Sequence, residues 1–222
     1  MNKGRVETFS DGIFAIAITL LVLTIALPNT ADYNNLARQL GQRWPSLAAY
    51  VVSFLVIGIM WVNHHTVFTH LRAVDRGMFY CNLLLLMTIV FIPYPTEVFG
   101  EALRLGPGAR TAAIFYSVAM TVNACMWALL WLYASIGRRL LSPDFPESQR
   151  IVSTVLFTAG TLAYGASIVV AVFFSPFVCL AFHGALAFYY AFDPISRRVG
   201  RESAPSVKPG ASMGQEPFEQ RL

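Results

Sequence analysis

"RVETFSDGIFAIAITLLVLTIAL", Arg5 to Leu27, joins a polar start to a long apolar run, and its reading decides the fold. Arg5, Glu7, Ser10 and Asp11 crowd the start, yet Gly12 to Ala31 contains no charged residue. As a helix such a run reaches about 30 Å, the thickness of a bilayer's hydrocarbon core. A carboxylate at its mouth is costly unless something pairs with it. The polar end is therefore a discarded leader, a helix cap, or part of a working site. A secretory leader has a positive start, an apolar core of about 7–15 residues and small residues at its cleavage site. Lys3, Arg5, Ala26 and Ala31 suit that description, but Glu7 and Asp11 interrupt the approach and the run is too long. The segment reads as a retained membrane span.

The rest of the chain follows the same pattern. Of its 222 residues 56% are hydrophobic and 13% charged, against about 25% charged in soluble domains. Charge-free runs predict six spans, at about 9–29, 45–70, 77–99, 111–137, 151–174 and 176–195. The last two come from one stretch, Ile151 to Phe192, which has no Asp, Glu, Lys or Arg and is too long for one span. Ser175-Pro176 supplies the turn that divides it. These evenly apolar runs lack the alternation of a membrane barrel, so the fold class is an all-α membrane protein. Residues 1–196 form one six-helix transmembrane domain. The tail, 197–222, mixes Gly, Pro, Ser and both charges without periodicity and is expected to be disordered.

Charge placement orients the chain. If the N-terminus is cytoplasmic, twelve of the sixteen Lys and Arg fall on that side. Cytoplasmic loops carry this excess, so both termini are expected inside a multi-pass protein of the cell membrane. The asymmetry accounts for a pI near 9.1 without nucleic acid as a partner. Cys81, Cys125 and Cys179 lie in three different apolar runs, with no CxxC pair and no His at metal spacing. They read as small buried hydrophobes, which leaves no resident metal and no cofactor. Nothing resembles a nucleophile–base pair, so the chain is not read as an enzyme.

At about 100° per residue, Gly12, Ile16, Thr19, Leu20, Leu23 and Leu27 share one face of the first helix, while Ser10 and Asp11 leave it. The acidic mouth thus docks into its own subunit, and the apolar stripe meets lipid, another helix or something else. In the second span, "WVNHHTVF", Trp61, His64, His65 and Phe68 recur at i, i+3, i+4 and i+7. Either histidine can donate to Asp11, and the Trp61 indole to Ser10 or a carbonyl. Asn82 is the lone amide of the third span. Together these residues predict a polar network tying three helices at the cytoplasmic side. Two sharper chemistries compete with it. Haem ligation requires histidines facing each other across a bundle, which adjacent His64 and His65 cannot do. A proton relay through Asp11 and the histidines would make the protein a proton-coupled secondary transporter. One carboxylate at the membrane edge is little machinery for coupling, and no inverted repeat is evident.

Arg5-x-x-x-Phe9-Ser10-Asp11 resembles the RxxxFSD signature of the transmembrane-protein-175 family of potassium channels. "FSDGIFAIAITLLVL", "WVNHHTVF" and the Asn82–Pro95 segment resemble its bacterial branch, over about the first 100 residues. The resemblance implies six helices per repeat, with one repeat per chain in bacterial members, and hence a homotetramer in the bilayer whose first helices line a central pore. It further implies a channel that prefers potassium ions and lacks a TVGYG filter, a motif this sequence also lacks. The constriction would fall on Ile16, five positions after the motif Asp, with further apolar rings at Leu20 and Leu23 and a hydroxyl at Thr19. The network of Arg5, Phe9, Ser10, Asp11, Trp61, His64, His65 and Asn82 would be structural. A narrow apolar ring gates by dewetting.

Overall fold

The computed structural model describes residues 2–25 and 34–192, and these are almost entirely helical. The helices are α1 (Lys3–Leu20), α2 (Leu36–Gly41), α3 (Trp44–Thr69), α4 (Arg76–Phe91), α5 (Pro93–Leu105), α6 (Ala109–Ser135), α7 (Glu147–Phe173) and α8 (Pro176–Phe192). Five helical stretches are long and apolar enough to cross a membrane: Lys3–Thr24, Trp44–Thr69, Arg76–Leu105, Ala109–Arg138 and Glu147–Phe173. Pro176–Ala191 is apolar but shorter. Leu27, residues 193–196 and the 197–222 tail, on which expectations were placed, lie outside the described residues.

Two boundaries differ from the charge-free runs for stated reasons. The first helix begins at Lys3 rather than near Phe9, because Asn2 caps it by accepting from the Arg5 backbone N–H. Arg5, Glu7 and Asp11 are thus helical residues, each with a defined direction. Beyond Leu20 the helix tightens into a 3-10 turn, Leu21–Thr24. In the third span, expected over 77–99, the helix bends between Phe91 and Pro93 and then continues to Leu105. Pro93 lacks the N–H that α4 would need to continue straight. The following charges, Glu97, Glu101 and Arg104, ride on a helix whose inner face is still apolar.

α1 packs against both α3 and α4, α3 against α5, and α6 against α4, α5 and α7. α6 is the spine, burying Ala112, Ala113, Tyr116, Met120, Trp127, Leu130 and Trp131 at helical spacing. Its sharp entry from α5 uses Gly106 and Gly108, at φ 90° and 73°, where side chains are disfavoured. α3 and α5 approach so closely at Gly100 that a Cβ there would come within 2.9 Å of the Ser46 Cα. On the same side of the molecule as the N-terminus, the α3–α4 and α6–α7 loops clasp. Leu71 and Leu141 form an isolated antiparallel bridge, and Asp75 binds Arg139 at 2.6 Å. Asp75 also caps α4 by accepting from the Met78 N–H at 2.8 Å.

Candidate functional site

The N-terminal half of α1 sits in a groove between α3 and α4, and polar side chains fill the seam. Ser10 and Asn82 are fully buried, as is His64. Their donors run in one direction: His64 Nε2–H to Asn82 Oδ1 at 2.9 Å, Asn82 Nδ2–H to Ser10 Oγ at 2.9 Å, and Ser10 Oγ–H to the Val6 carbonyl at 2.9 Å. One chain of bonds therefore links α3, α4 and α1. Phe68 stacks on the His64 ring at 4.2 Å, and Phe14 meets its edge at 5.4 Å, excluding water from this seam. Such a buried polar chain holds register, because a one-step slip strands several groups at once.

A second, more open row lies on the α1–α3 edge. The Trp61 indole donates to Asp11 Oδ1 at 2.9 Å, and His65 Nδ1–H donates to Glu7 Oε1 at 2.8 Å. Neither histidine bonds Asp11, and Trp61 chooses Asp11 rather than Ser10. So Trp61, His64, His65 and Phe68 split into two rows. His64 and Phe68 point into the core, while Trp61 and His65 stay exposed along α1. Arg5 and Phe9 are exposed as well, and no hydrogen bond or ion pair of the Arg5 side chain occurs among the described residues. They line a surface hollow of about 420 Å³ with Asn2, Val6 and Phe79.

Two participants escaped the sequence reading. Glu7 is the partner of His65, and the signal for it was present: Glu7 and Asp11 are spaced i, i+4, as are Trp61 and His65, which matches on antiparallel helices. Lys3 donates to the Phe68 and Leu71 carbonyls at 3.1 and 2.9 Å, placing its charge at the C-terminal end of α3. Nothing in the local sequence marks that contact, which depends on how α1 crosses α3.

Above the collar, the face of α1 opposite the core carries the apolar stripe. Ile16 is 57% exposed, Leu20 38% and Leu23 72%. Val6, Phe14, Ala17 and Leu21 form the buried side of the same helix. Thr19 is exposed, and its hydroxyl lies 2.9 Å from both the Ala15 and Ile16 carbonyls, towards which its single proton donates. Leu20 and Leu23 stay nearly in line because three residues make one turn in the 3-10 segment.

The chain is similar to known proteins. The family model for the endosomal/lysosomal potassium channel TMEM175 matches residues 5–93, which hold the collar and the stripe. A potassium channel of Streptomyces collinus is 43% identical over 207 residues, 93% of this chain and 100% of that protein. A potassium channel of Chamaesiphon minutus is 40% identical over 196 residues, 86% of this chain and 94% of that protein. The crystal structure of a lysosomal potassium-selective channel TMEM175 homolog from Chamaesiphon minutus superposes with a TM-score of 0.76 at 36% identity, covering 85% of this chain and 96% of the other. These relatives are channels, not enzymes. With its long apolar helices, this multi-pass membrane protein belongs to the TMEM175 family.

Proposed function

We propose that the protein is a potassium-preferring cation channel of the cell membrane, assembled as a homotetramer of six-span subunits with both termini cytoplasmic. α1 of each subunit lines the central pore. Ile16 forms the narrowest ring, Leu20 and Leu23 extend the apolar neck, and Thr19 offers the cation a side-chain oxygen. The observation that carries this reading is the two-sided character of α1. Its buried side and polar collar lock it to α3 and α4, while Ile16, Leu20 and Leu23 are presented outward along one line. Being named potassium channels, the relatives favour an ion path over lipid as the occupant of that line. A pore walled by one helix per subunit needs several subunits around an axis. A tight apolar neck favours the larger, more weakly hydrated cation, because that ion sheds water at lower cost, so the expected selectivity is modest. The collar, Arg5, Phe9, Ser10, Asp11, Trp61, His64, His65 and Asn82, is structural in this reading. The six-helix domain spans 1–196, and 197–222 is a cytoplasmic tail.

Ile16→Asn tests the proposal. One substitution changes a whole ring, so it should wet the neck, raise cation current and erode the preference for potassium over sodium. Val22→Asn, six positions on and roughly 120° around the helix, should leave the reversal potential where it was. Reversal potentials under potassium–sodium gradients in reconstituted bilayers separate the outcomes. A well-folded Ile16→Asn protein with unchanged selectivity and conductance removes Ile16 from the pore.

A further inference from the structure

α1 is held at two heights, and the polar collar explains only one of them. At the far end its last α-helical turn gives way to the 3-10 turn Leu21–Thr24, which packs against α3 and α5. Leu21 is fully buried there and Thr24 nearly so, whereas Leu23, between them, is turned outward. Hydrogen-bond geometry is poorer in a 3-10 turn than in an α-helix, so the rigidity of α1 does not by itself fix Leu23. The seat that α3 and α5 provide sets its position.

That seat has a weak point. α5 starts at Pro93, which has no N–H to extend the ladder of α4, so the direction of α5 must be fixed from outside. Three buried hydroxyls do this. Thr96 Oγ1–H donates to the Ile92 carbonyl at 2.8 Å, on the peptide bond that enters Pro93. A hydroxyl has a single proton to give. With its own spent, Thr96 accepts from Ser53 Oγ–H at 2.8 Å, and Ser53 in turn accepts from Tyr116 O–H at 3.0 Å. Ser53 is 0% exposed, and Thr96 and Tyr116 are 1% exposed. The donors therefore run one way, from α6 through α3 to α5, and end on the bend. In the collar, His64, Asn82 and Ser10 make a chain of the same kind, which ends on the Val6 carbonyl of α1.

We infer that Tyr116, Ser53 and Thr96 are positioning residues for permeation: they lock the α4–α5 bend and, through the seat of the 3-10 turn, fix the ring formed by Leu23. The inference rests on the pore reading above. None of the three touches the ion, and each acts through the next. Without the chain, α5 swings about Pro93 and carries the buried Leu21 and Thr24 with it. Ile16 lies about 10 Å nearer the collar along the helix axis and stays where the collar holds it. Loosening is thus confined to the Leu23 end of the neck.

Silver ion, a soft monovalent cation that binds thiolates, is the probe. In full-length protein with Cys81, Cys125 and Cys179 changed to Ala, silver should block the current through Leu23→Cys and through Ile16→Cys in reconstituted bilayers. Adding Thr96→Val, which keeps the volume and removes the hydroxyl, should raise the rate of block at Leu23→Cys several-fold and leave that at Ile16→Cys unchanged. Thr96→Ser should restore the original rate. Tyr116→Phe removes only the first donor and should raise the Leu23→Cys rate by less, which gives the same reading should Thr96→Val fail to fold. Unchanged rates at Leu23→Cys, equal shifts at both cysteines, or a Thr96→Ser protein that behaves as Thr96→Val overturn the positioning role alone. Conducting cysteine variants that silver leaves untouched sink the pore reading, and this inference with it.

Discussion

At the residue scale, Asn82 carries the most structure per atom. Its carbonyl oxygen takes the His64 proton and its amide donates to Ser10, so three helices meet on one side chain. Asn82→Leu keeps the volume but strands a fully buried His64 N–H, costing about 1–3 kcal/mol, and the thermal midpoint in detergent should fall accordingly. Trp61→Phe removes a single exposed bond and should cost at most about 1 kcal/mol. If the Asn82 variant melts no earlier than the Trp61 variant, the buried chain is not what holds α1. Asp75, in the α3–α4 loop, sets a pH dependence. The Met78 backbone N–H, with Arg139 and Tyr133 adding to it, holds its carboxyl below the ordinary aspartate value of 3.8. A depressed carboxylate contributes stability that is present above its unfolded value and is lost as pH falls through its folded one. The midpoint of the wild type should therefore drop on acidification below about pH 4, and that of Asp75→Asn should drop less. Parallel curves for the two proteins would contradict this.

At the element scale, α1 is held by both neighbours and α3 is held by α5. Gly100 lets α5 close on α3, since a Cβ there would sit 2.9 Å from the Ser46 Cα, a backbone atom that cannot swing aside. Gly100→Ala should consequently destabilise by roughly 1–3 kcal/mol, although alanine is the better helix former. A variant at Gly58, where a Cβ meets nothing within 4 Å, should show the ordinary gain instead. Thermal melts of the pair decide between local helix propensity and interhelical contact. The bend at Pro93 belongs to this scale too. It turns the third span into two helices, and the second of them places Thr96 against Ser53 at 2.8 Å.

At the scale of the whole molecule, the distribution of charge and the helix order make a topological prediction. Cysteines introduced at Asn35 and Leu105, in a protein freed of its native cysteines, should react with an impermeant thiol reagent from outside intact cells. Both positions are exposed in the structure, so access is limited only by the side of the membrane. Reaction from the inside alone would invert the orientation, and opposite sides for the two positions would break the six-span count. The α4–α5 bend makes the second outcome worth measuring, because a helix pair that re-enters from the same side would place Leu105 inside.

Membrane insertion and the helical class were legible in the sequence, because both rest on a one-dimensional signal, the length of charge-free runs. The outward stripe of α1 was legible as well, since Ile16, Leu20 and Leu23 recur at helical spacing and no neighbour has to be known to see it. Which polar group meets which was not legible. Spacing grouped Trp61, His64, His65 and Phe68 on one face, yet a helix lodged between two others has two contact lines, and only the packing sends His64 to Asn82 and Trp61 to Asp11. Glu7 and Lys3 found their partners through the crossing of α1 over α3, a relation between residues more than fifty positions apart. Periodicity states which way a side chain points. Only the tertiary structure decides what it points at, because that depends on the register between helices, which no single helix encodes.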